Sequence, residues 1–367
     1  MYDVVIVGAG PAGLMAARNL PDTFSFIVID SKKEIGLPLR CGEGVREKEF
    51  LQFFKHKGYS FVRNTVLSHE IRYGDLKRIV RVNFLELDRP KFEQFLAKPI
   101  RKRIKLNTNC RNIIIKKDYA EITTNKGIIK AKLIILANGA NYHLQKNLGL
   151  IEKDPRLIVG YGGLYKISKI NKNRFYYFFE KDKCGYLWIF PKSRDLANVG
   201  FGALNDKNPK KTLNNLLKKH KINAKQVSEY AGVVSVSGPI EKTYSDRILV
   251  CGTSAGFVYA GTGEGIQFAL ESGRITGNIA AQAISQNNFS ESFLKRYELE
   301  WNRAFGSSMK AGIILKDIQH LAIKKNIIEK VFRIPTEKEL KLMVLEGKVP
   351  LKAKIFWYIT KLCGIYQ

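Results

Sequence analysis

Three glycines near the amino terminus and one acidic residue have the spacing of a dinucleotide-binding site. The glycines are Gly8, Gly10 and Gly13, and the acidic residue is Asp30. In such a site the first glycine permits a tight turn, the second lets the backbone approach a pyrophosphate, and the third lets a helix pack closely on a strand. Asp30 is placed to accept hydrogen bonds from a ribose diol. We predict that these residues of the turn contact a dinucleotide: Gly8, Gly10, Pro11, Ala12 and Gly13.

The elements around these residues fit a β–turn–α–β unit. Residues 2–7 are a β-branched apolar run, a helix extends to Leu20, and residues 25–30 make the next strand. A strand followed at once by the glycine pattern, with an acidic residue closing the second strand, is much more specific than the glycines alone. The helix amino terminus stabilises phosphate charge with its free N–H groups and its dipole. Because no second pattern of this kind follows a later strand, we expect one stably held dinucleotide.

The composition is that of a globular protein with a large excess of positive charge. Among 367 residues, 62 Lys and Arg stand against 33 acidic residues, which gives a net charge of +29. Such an excess favours an anionic partner surface, such as phospholipid, nucleic acid or a phosphorylated substrate. A codon bias towards lysine on solvated faces explains it equally well. We expect no nucleic-acid partner, because no recognisable nucleic-acid-binding signature accompanies the charge.

The cysteine, histidine and apolar patterns exclude several classes of protein. Five cysteines occur without a Cys-x-x-Cys pair: Cys41, Cys110, Cys184, Cys251 and Cys363. This argues against a disulfide framework or a zinc site, and the dispersed histidines predict no metal. A reducing, cytoplasmic setting follows. The chain opens with a strand at Tyr2 and lacks an apolar run of about 18 residues, so we expect no signal peptide and only peripheral membrane contact.

Strands and glycine-rich turns recur at both ends of the chain around an inserted sheet. Residues 127–131 and Leu133–Ala137 are predicted as separate strands, and aromatic and β-branched runs from 157 to 203 predict an antiparallel sheet. The glycine-rich segment 252–265 leads into a helix, and the chain beyond residue 290 is predicted to be helical. The fold class is therefore α/β, a Rossmann-type domain with an inserted antiparallel sheet.

The expected division of the chain has three parts. Residues 1–70, 88–155 and 240–300 form a discontinuous dinucleotide-binding domain, residues 71–87 and 156–239 form an antiparallel-sheet substrate domain, and residues 301–367 form a helical carboxy-terminal region.

Four segments, within residues 1–310, resemble the geranylgeranyl reductase family, a branch of the FAD-dependent oxidoreductases related to para-hydroxybenzoate hydroxylase. They are the glycine turn 8–13, residues 36–44 (GLPLRCGEG), residues 185–192 (GYLWIFPK), similar to the family's YxWxFPK signature, and residues 251–266 (CGTSAGFVYAGTGEGI). The second and third separate this branch from the hydroxylases. The resemblance implies FAD as cofactor and either NAD(P)H or ferredoxin as the external reductant.

The resemblance also implies cofactor contacts outside the amino-terminal turn. Arg89 corresponds to the arginine at the family's helix start, whose guanidinium approaches the FAD pyrophosphate. Cys41, followed by Gly42, corresponds to the family residue near the flavin. The further residues implied to contact the cofactor are Gly252, Thr253, Gly261, Gly263, Gly265 and Ile266. Relatives commonly carry Asp where this chain has Thr253 and an Asp-Gly pair where it has Asn138 and glycine, and both substitutes still form hydrogen bonds.

The activity implied is the saturation of double bonds in geranylgeranyl chains, a step of membrane lipid biosynthesis. Hydride passes from flavin N5 to an isolated alkene, so the site must polarise or protonate the alkene and exclude water. The residues implied to be catalytic are Cys41, Tyr186 and Trp188. The Cys41 thiol either positions the alkene or relays a proton, with a buried structural role as the alternative. Glu43 and Glu264 are alternative acids.

An aromatic hairpin is predicted to line the substrate cavity. The runs Phe175–Phe179 and Tyr186–Phe190 carry aromatic residues on both faces, one for the core and one for a lipid-sized cavity, and an ordinary sheet core is the alternative. The substrate-binding residues expected on the hairpin are Tyr177, Phe179, Tyr186, Trp188, Phe190 and Pro191.

The expected partners are an isoprenoid lipid substrate, an electron-donor protein and an anionic membrane surface, with the protein itself a monomer. The membrane contact rests on a stripe at helical spacing in the tail, formed by Leu351, Ile355, Ile359, Leu362 and Tyr366. Such a stripe, with lysines largely elsewhere, is typical of a helix that lies on lipid or packs against its own domain.

Three rival functions stay open. A flavin monooxygenase of the hydroxylase branch shares the FAD segments but attacks an aromatic ring with oxygen. A flavin halogenase carries a WxWxIP motif, which residues 186–191 only approximate. The third is a non-catalytic flavin- or lipid-binding paralogue.

Overall fold

The computed structural model describes residues 1–362 apart from residues 169, 334, 346 and 347. Tyr366 and the side chains of Ile359 and Leu362, which belong to the predicted tail stripe, lie outside the described residues. Within the described part of the chain, each helix is too short or too polar to span a bilayer.

The strands and helices alternate in the first half of the chain, and helices dominate after residue 266. The strands are β1 (Tyr2–Val7), β2 (Phe26–Ile29), β3 (Gly44–Arg46), β4 (Val62–Val66), β5 (Ser68–Tyr73), β6 (Leu76–Val80), β7 (Phe84–Leu87), β8 (Ile104–Lys105), β9 (Cys110–Ile115), β10 (Ala120–Thr124), β11 (Gly127–Leu136), β12 (Leu157–Ile167), β13 (Arg174–Phe179), β14 (Gly185–Pro191), β15 (Leu196–Ala203), β16 (Ala224–Gln226), β17 (Tyr230–Ser235), β18 (Tyr244–Ser245) and β19 (Ile248–Val250). The helices are α1 (Pro11–Arg18), α2 (Glu47–Phe50), α3 (Arg89–Ala97), α4 (His143–Asn147), α5 (Pro209–Lys219), α6 (Ile266–Ser285), α7 (Glu291–Leu294), α8 (Arg296–Trp301), α9 (Ser307–Lys324), α10 (Ile328–Arg333), α11 (Glu337–Leu340) and α12 (Leu351–Leu362).

The first sheet is the expected dinucleotide-binding sheet. Its parallel strands have the order β19-β11-β1-β2-β8, so that β1 and β2 lie side by side around the glycine turn. β1 reads as a continuous β-branched run because both faces of a central parallel strand are covered. Helices α1 and α6 pack against each other beside this sheet. The α/β class with an antiparallel sheet and a helical carboxy-terminal part is confirmed.

The prediction of separate strands at 127–131 and Leu133–Ala137 is wrong, because both belong to the single strand β11. Its first half pairs antiparallel with β10, with Ile129 opposite Ile122, and its second half pairs parallel with β1. Lys132 separates the two apolar runs in the sequence, but its ammonium forms an ion pair with Asp3 at 2.8 Å at the sheet surface. A charged residue that reaches solvent does not end a strand.

The second sheet is mainly antiparallel and carries the aromatic hairpin. Its strand order is β16-β12-β15-β14-β13-β5-β6, with β17 also paired to β12. One face of the hairpin, with Phe178 and Leu187, packs under α5. The opposite face, with Phe175, packs against Phe84 of β7. Strand β7 pairs with β3 and β4 in a third, small sheet and not with the antiparallel sheet. The domain boundaries themselves stay a prediction.

Candidate active site

The glycine turn between β1 and α1 has little free space except at its middle glycine. A Cβ at Gly8, whose φ is +115°, would lie 2.2 Å from the carbonyl oxygen of Ala137, and a Cβ at Gly13 would lie 1.9 Å from that of Gly8. A Cβ at Gly10 would meet no atom within 4 Å. Close packing therefore explains the outer two glycines, and the open space at Gly10 fits the approach of a bound group to the backbone.

Asp30 holds the shape of this turn. Its carboxylate accepts hydrogen bonds from the backbone N–H of Ala9 at 2.7 Å and of Lys32 at 2.8 Å. Each carboxylate oxygen can accept a further hydrogen bond. The contact between Asp30 and a ribose diol therefore stays compatible with the structure and remains a prediction.

A cavity of about 350 Å³ lies between the two large sheets. Among the residues expected to contact the cofactor, those that line the cavity are Pro11, Cys41, Gly42, Arg89, Thr253, Gly261, Gly263, Gly265 and Ile266. Among those expected to contact the substrate, the lining residues are Tyr177, Tyr186, Trp188 and Phe190. The cavity therefore brings four segments together that are far apart in the sequence.

The remaining residues of the glycine segments lie behind the cavity wall. Gly8, Gly13 and Asp30 build the turn, and a Cβ at Gly252 would lie 2.7 Å from that of Ala12. Gly252 therefore allows the glycine-rich segment to pack on α1.

Two hairpin residues expected to bind substrate do not line the cavity. Pro191 follows Phe190 on β14, and successive strand residues point to opposite faces. Phe179 shares a face with Tyr177 but lies past the end of the cavity, where its ring packs against Tyr186 and the small cluster around Tyr73. Its position on the strand places Phe179 on the face that lines the cavity. It does not contribute to the lining because the cavity ends before this residue.

The Cys41 thiol lies half-buried in the cavity lining. Its Sγ accepts a hydrogen bond from the backbone N–H of Glu43 at 3.2 Å, and burial raises the pKa of the thiol above its ordinary value. A raised pKa keeps the thiol protonated at neutral pH. Among the described residues no acceptor for the S–H proton is found, so this proton can face the cavity.

The alternative acids Glu43 and Glu264 are both held by cations. The Glu43 carboxylate lies 2.8 Å from the ammonium of Lys192 and accepts a hydrogen bond from the backbone N–H of Arg89 at 3.0 Å. The Glu264 carboxylate accepts a hydrogen bond from Nε of Arg46 at 2.8 Å. Each carboxylate is already engaged by a cation, whereas the thiol of Cys41 has a proton that can face the cavity. This contrast favours Cys41 over both glutamates as the acid.

Arg89 begins α3 at the cavity, with Asp88 as the helix cap. Its guanidinium pairs with Glu93 one helical turn later, yet its Nε is buried and has no partner among the described residues. A buried donor without a partner is costly. A phosphate placed here would satisfy it.

Trp188 and Tyr186 present rings to the cavity while their polar atoms are engaged elsewhere. The indole N–H of Trp188 donates to Asn198 at 2.9 Å, and the hydroxyl of Tyr186 donates to the backbone carbonyl of Thr262. Gly200 makes room for the indole, since a Cβ there would lie 2.2 Å from the ring of Trp188. Both residues therefore shape the cavity and do not offer it a proton.

The residues that the sequence predictions missed include two that line the cavity, Tyr230 and Arg40, and one buried residue that does not, His69. Tyr230, on the edge strand β17, donates its hydroxyl to the carbonyl of Cys41 at 2.8 Å, and no motif marks it. Arg40 lines the cavity mouth and has no ion pair among the described side chains. Tyr177 was predicted, but its partner His69 was not: His69 Nδ1 lies 3.3 Å from the Tyr177 hydroxyl, and burial lowers the pKa of His69 to about 3.

Comparison with known proteins agrees with this geometry. A family model described as the geranylgeranyl reductase catalytic domain matches residues 163–238, which include the aromatic strands β13 and β14. The digeranylgeranylglycerophospholipid reductase of Methanocaldococcus jannaschii is 33% identical over 329 residues, which cover 82% of each chain. The chain belongs to the geranylgeranyl reductase family.

Further relatives of this geranylgeranyl reductase family member give the same result. The digeranylgeranylglycerophospholipid reductase of Methanococcus vannielii is 32% identical over 324 residues, again 82% of each chain. A geranylgeranyl bacteriochlorophyll reductase-like protein from Thermoplasma acidophilum superposes with a TM-score of 0.79 over 97% of this chain and 95% of its own, at 23% identity. A flavin-dependent brominase superposes with a TM-score of 0.73 over 99% and 100%, at 17% identity. At these identities the two structures show the fold alone.

Proposed function

We propose that this chain is an FAD-dependent reductase that saturates double bonds in the geranylgeranyl chains of a membrane lipid. The observation that carries the proposal is the cavity itself. It joins the dinucleotide turn at Pro11 and the glycine-rich segment at Thr253 to the aromatic wall, which is formed by Tyr177, Trp188 and Phe190. An isoprenoid chain needs an apolar enclosure, and hydride transfer needs the redox cofactor at the same place. The names of the curated relatives, digeranylgeranylglycerophospholipid reductases, support the same substrate class.

The residues around the glycine turn fit FAD. Gly10 precedes the first residue of α1 and Gly265 precedes that of α6, and no side chain caps either helix, so their first N–H groups are free for an anion. With the unpaired Nε of Arg89, these N–H groups would hold the pyrophosphate and the polar edge of the ring, and Asp30 would hold the ribose. When bound, FAD supplies the hydride.

The side chains of the cavity supply the proton and the dry surroundings. The protonated Cys41 thiol is the proposed proton donor, since Glu43 and Glu264 are paired with cations. The rings of Tyr186 and Trp188 keep water from the alkene, because their polar atoms point away to Thr262 and Asn198. Exclusion of water protects a developing cation from being trapped.

The carboxy-terminal helix α12 is the proposed membrane contact. It docks on α9 through Trp357, whose indole N–H donates to Asp317 at 3.1 Å, while Leu351 and Ile355 are 73% and 49% exposed. Exposed apolar residues beside lysines suit an anionic lipid surface. Asp317 is adjacent to Lys316, which lines the cavity. The helix thus lies beside one end of the cavity, where a lipid chain would enter.

The electron donor is proposed to be external, either NAD(P)H or ferredoxin, because the chain carries one dinucleotide turn. The protein is proposed to act as a monomer on the cytoplasmic face of the membrane.

The decisive experiment is an anaerobic single turnover. The purified, FAD-loaded protein is reduced with dithionite and mixed with a digeranylgeranyl phospholipid, while flavin absorbance and lipid mass are followed. A reductase reoxidises its flavin without oxygen and adds two hydrogens to each double bond that it saturates. A monooxygenase or halogenase needs oxygen, and a non-catalytic paralogue leaves both signals unchanged. Stable reduced flavin and unshifted lipid mass would therefore exclude the proposed function.

A further inference from the structure

The side-chain amide of Asn198, which lies behind the aromatic wall, is fully engaged in hydrogen bonds. Asn198 on β15 is 1% exposed, and its Nδ2 donates to the carbonyl of Cys41 and to the carboxylate of Glu43, both at 2.9 Å. Its Oδ1 accepts from the indole N–H of Trp188 at 2.9 Å. The hydroxyl of Tyr230 lies 2.8 Å both from this oxygen and from the Cys41 carbonyl, and it has one proton to share between them. Both N–H groups of the amide and its oxygen are therefore engaged.

Trp188 and Glu43 fix the orientation of the amide, because the indole N–H can only donate and a carboxylate accepts. Reversing the amide would turn an N–H group towards the indole N–H of Trp188, and would turn the oxygen towards the Glu43 carboxylate. Both changes replace attraction with repulsion in a buried site, where unpaired polar groups are costly. The amide of Asn198 therefore has one stable orientation. Because it bonds both the Cys41 carbonyl and the Trp188 indole, this orientation fixes the positions of the two residues relative to each other.

A second buried group anchors the loop that carries Cys41. The ammonium of Lys192 lies 2.8 Å from Glu43 and 3.3 Å from Glu86, and it donates to the carbonyl of Leu87 at 2.5 Å. Both carboxylates are at most 2% exposed. Glu43 has φ of +67°, a conformation that residues other than glycine rarely adopt. The ion pair with Lys192 and the hydrogen bond from Asn198 hold the residue in it.

We infer that Asn198 is a positioning residue, which sets the distance and angle between Cys41 and Trp188 at the cavity, with Lys192 as the anchor of the loop. The inference rests on the proposed function, because it assigns Asn198 to the same cavity. A purely structural role for Asn198 would affect stability and leave the environment of the thiol and the cofactor unchanged. The two roles therefore differ in their observable effects.

The test compares Asn198→Leu with Val199→Ala in the full-length, FAD-loaded protein. Leucine has the branching of asparagine and is somewhat larger, but it forms none of the hydrogen bonds of the amide. Val199 is the neighbouring residue on β15, and its side chain lies in the core on the other face of the sheet. The primary readout is the rate at which iodoacetamide alkylates Cys41, resolved by peptide mass spectrometry and divided by the rate for Cys110.

We expect Asn198→Leu to raise this ratio about tenfold and to shift the visible absorption bands of the flavin. A tenfold rise corresponds to a decrease of about 1.4 kcal/mol in the free energy needed to open the loop around Cys41. Val199→Ala lowers the thermal midpoint and leaves both readouts unchanged. Tyr230→Phe removes one hydroxyl from the same network, and we expect a smaller rise of about threefold. This milder variant keeps the test valid if Asn198→Leu does not fold.

An unchanged alkylation ratio and flavin spectrum in the folded variants of Asn198 and Tyr230 would overturn the inference. A rise of equal size in Val199→Ala would overturn it as well, because general loosening would then explain the effect. Neither readout requires an alkene. Failure to reduce a geranylgeranyl lipid would therefore count against the proposed function and leave this inference intact.

Discussion

The hydroxyl of Tyr186 on the aromatic hairpin donates a hydrogen bond to the backbone carbonyl of Thr262, 76 residues further along the chain. This bond joins the antiparallel sheet to the glycine-rich segment on the opposite wall of the cavity. Gly263, which follows, has φ of +79° and no atom within 4 Å of a Cβ position. The segment is therefore held at Thr262 by the hairpin, while the glycine beside it stays open to a ligand.

Removing this hydroxyl tests whether the hairpin holds the glycine segment. We expect Tyr186→Phe to lower the free energy of unfolding by about 1 kcal/mol, the net value of a typical hydrogen bond, and to weaken FAD binding by about fivefold. Urea unfolding and flavin fluorescence titration measure the two effects. Unchanged affinity for FAD would mean that Thr262 keeps its position without Tyr186.

Two glycine variants of the amino-terminal turn separate folding from cofactor binding. Gly13→Ala places a Cβ 1.9 Å from the carbonyl oxygen of Gly8, and we expect a loss of about 3 kcal/mol of stability from overpacking. Gly10→Ala meets no protein atom within 4 Å, so its thermal midpoint stays within a few degrees of the unaltered protein. Its FAD affinity falls about tenfold, because the methyl group occupies the space of the pyrophosphate. Full FAD affinity in Gly10→Ala would contradict the assignment of this turn.

Cys41 tests the proposed proton donor. We expect Cys41→Ala to lower kcat for alkene saturation about a hundredfold with little change in KM, the scale of a lost general acid. Because burial raises the pKa of the thiol, the unaltered protein keeps its activity through neutral pH and loses it on the alkaline side as the thiol ionises. The matched control is Cys110→Ala, a cysteine of the first sheet remote from the cavity lining. A kcat for Cys41→Ala equal to that of this control would remove Cys41 from the chemistry.

His69 predicts a specific dependence of stability on pH. Its folded pKa of about 3 lies below the ordinary value of 6.5, so between these values the unfolded chain binds a proton that the folded chain does not. Stability rises with pH wherever the unfolded state binds more protons, and this contribution is therefore lost as pH falls from about 6.5 towards 3, at up to about 1.4 kcal/mol per pH unit.

Comparing His69→Leu with the unaltered protein isolates this contribution from that of the carboxylates. Urea unfolding at several pH values between about 4 and 7 gives the two slopes, and we expect the shallower slope in the variant. Parallel slopes would mean that His69 is protonated in the folded state.

The exposed face of α12 predicts binding to anionic membranes. We expect the double substitution Leu351→Ser and Ile355→Ser to weaken binding to vesicles containing phosphatidylglycerol by about tenfold, since two apolar side chains are removed from the lipid interface. Leu299→Ser alters an exposed leucine on α8, which is 59% exposed, and serves as the control. Equal sedimentation of the double variant and the control with the vesicles would assign membrane contact elsewhere.

The dinucleotide turn and the class of the fold could be predicted from the sequence because residues close together in the chain determine them. Gly8 and Gly13 are required by backbone contacts within the first β–α–β unit and its neighbouring strand, and the apolar runs of β1 and β2 determine parallel strands buried on both faces. The aromatic alternation of β14 likewise predicts that Tyr186, Trp188 and Phe190 share one face. Period and spacing contain this information before any long-range contact forms.

The tertiary structure alone decided which of these residues meet, and which partner each buried polar group has. Cys41 and Asn198 are 157 residues apart, and the pairing of Glu43 with Lys192 and of Glu264 with Arg46 follows from the way the sheets pack. The same packing ends the cavity before Phe179. A sequence pattern determines the face on which a side chain lies, but the partner of a buried polar group depends on the relative placement of whole sheets, because its desolvation must be offset by whatever group the fold brings within hydrogen-bond distance.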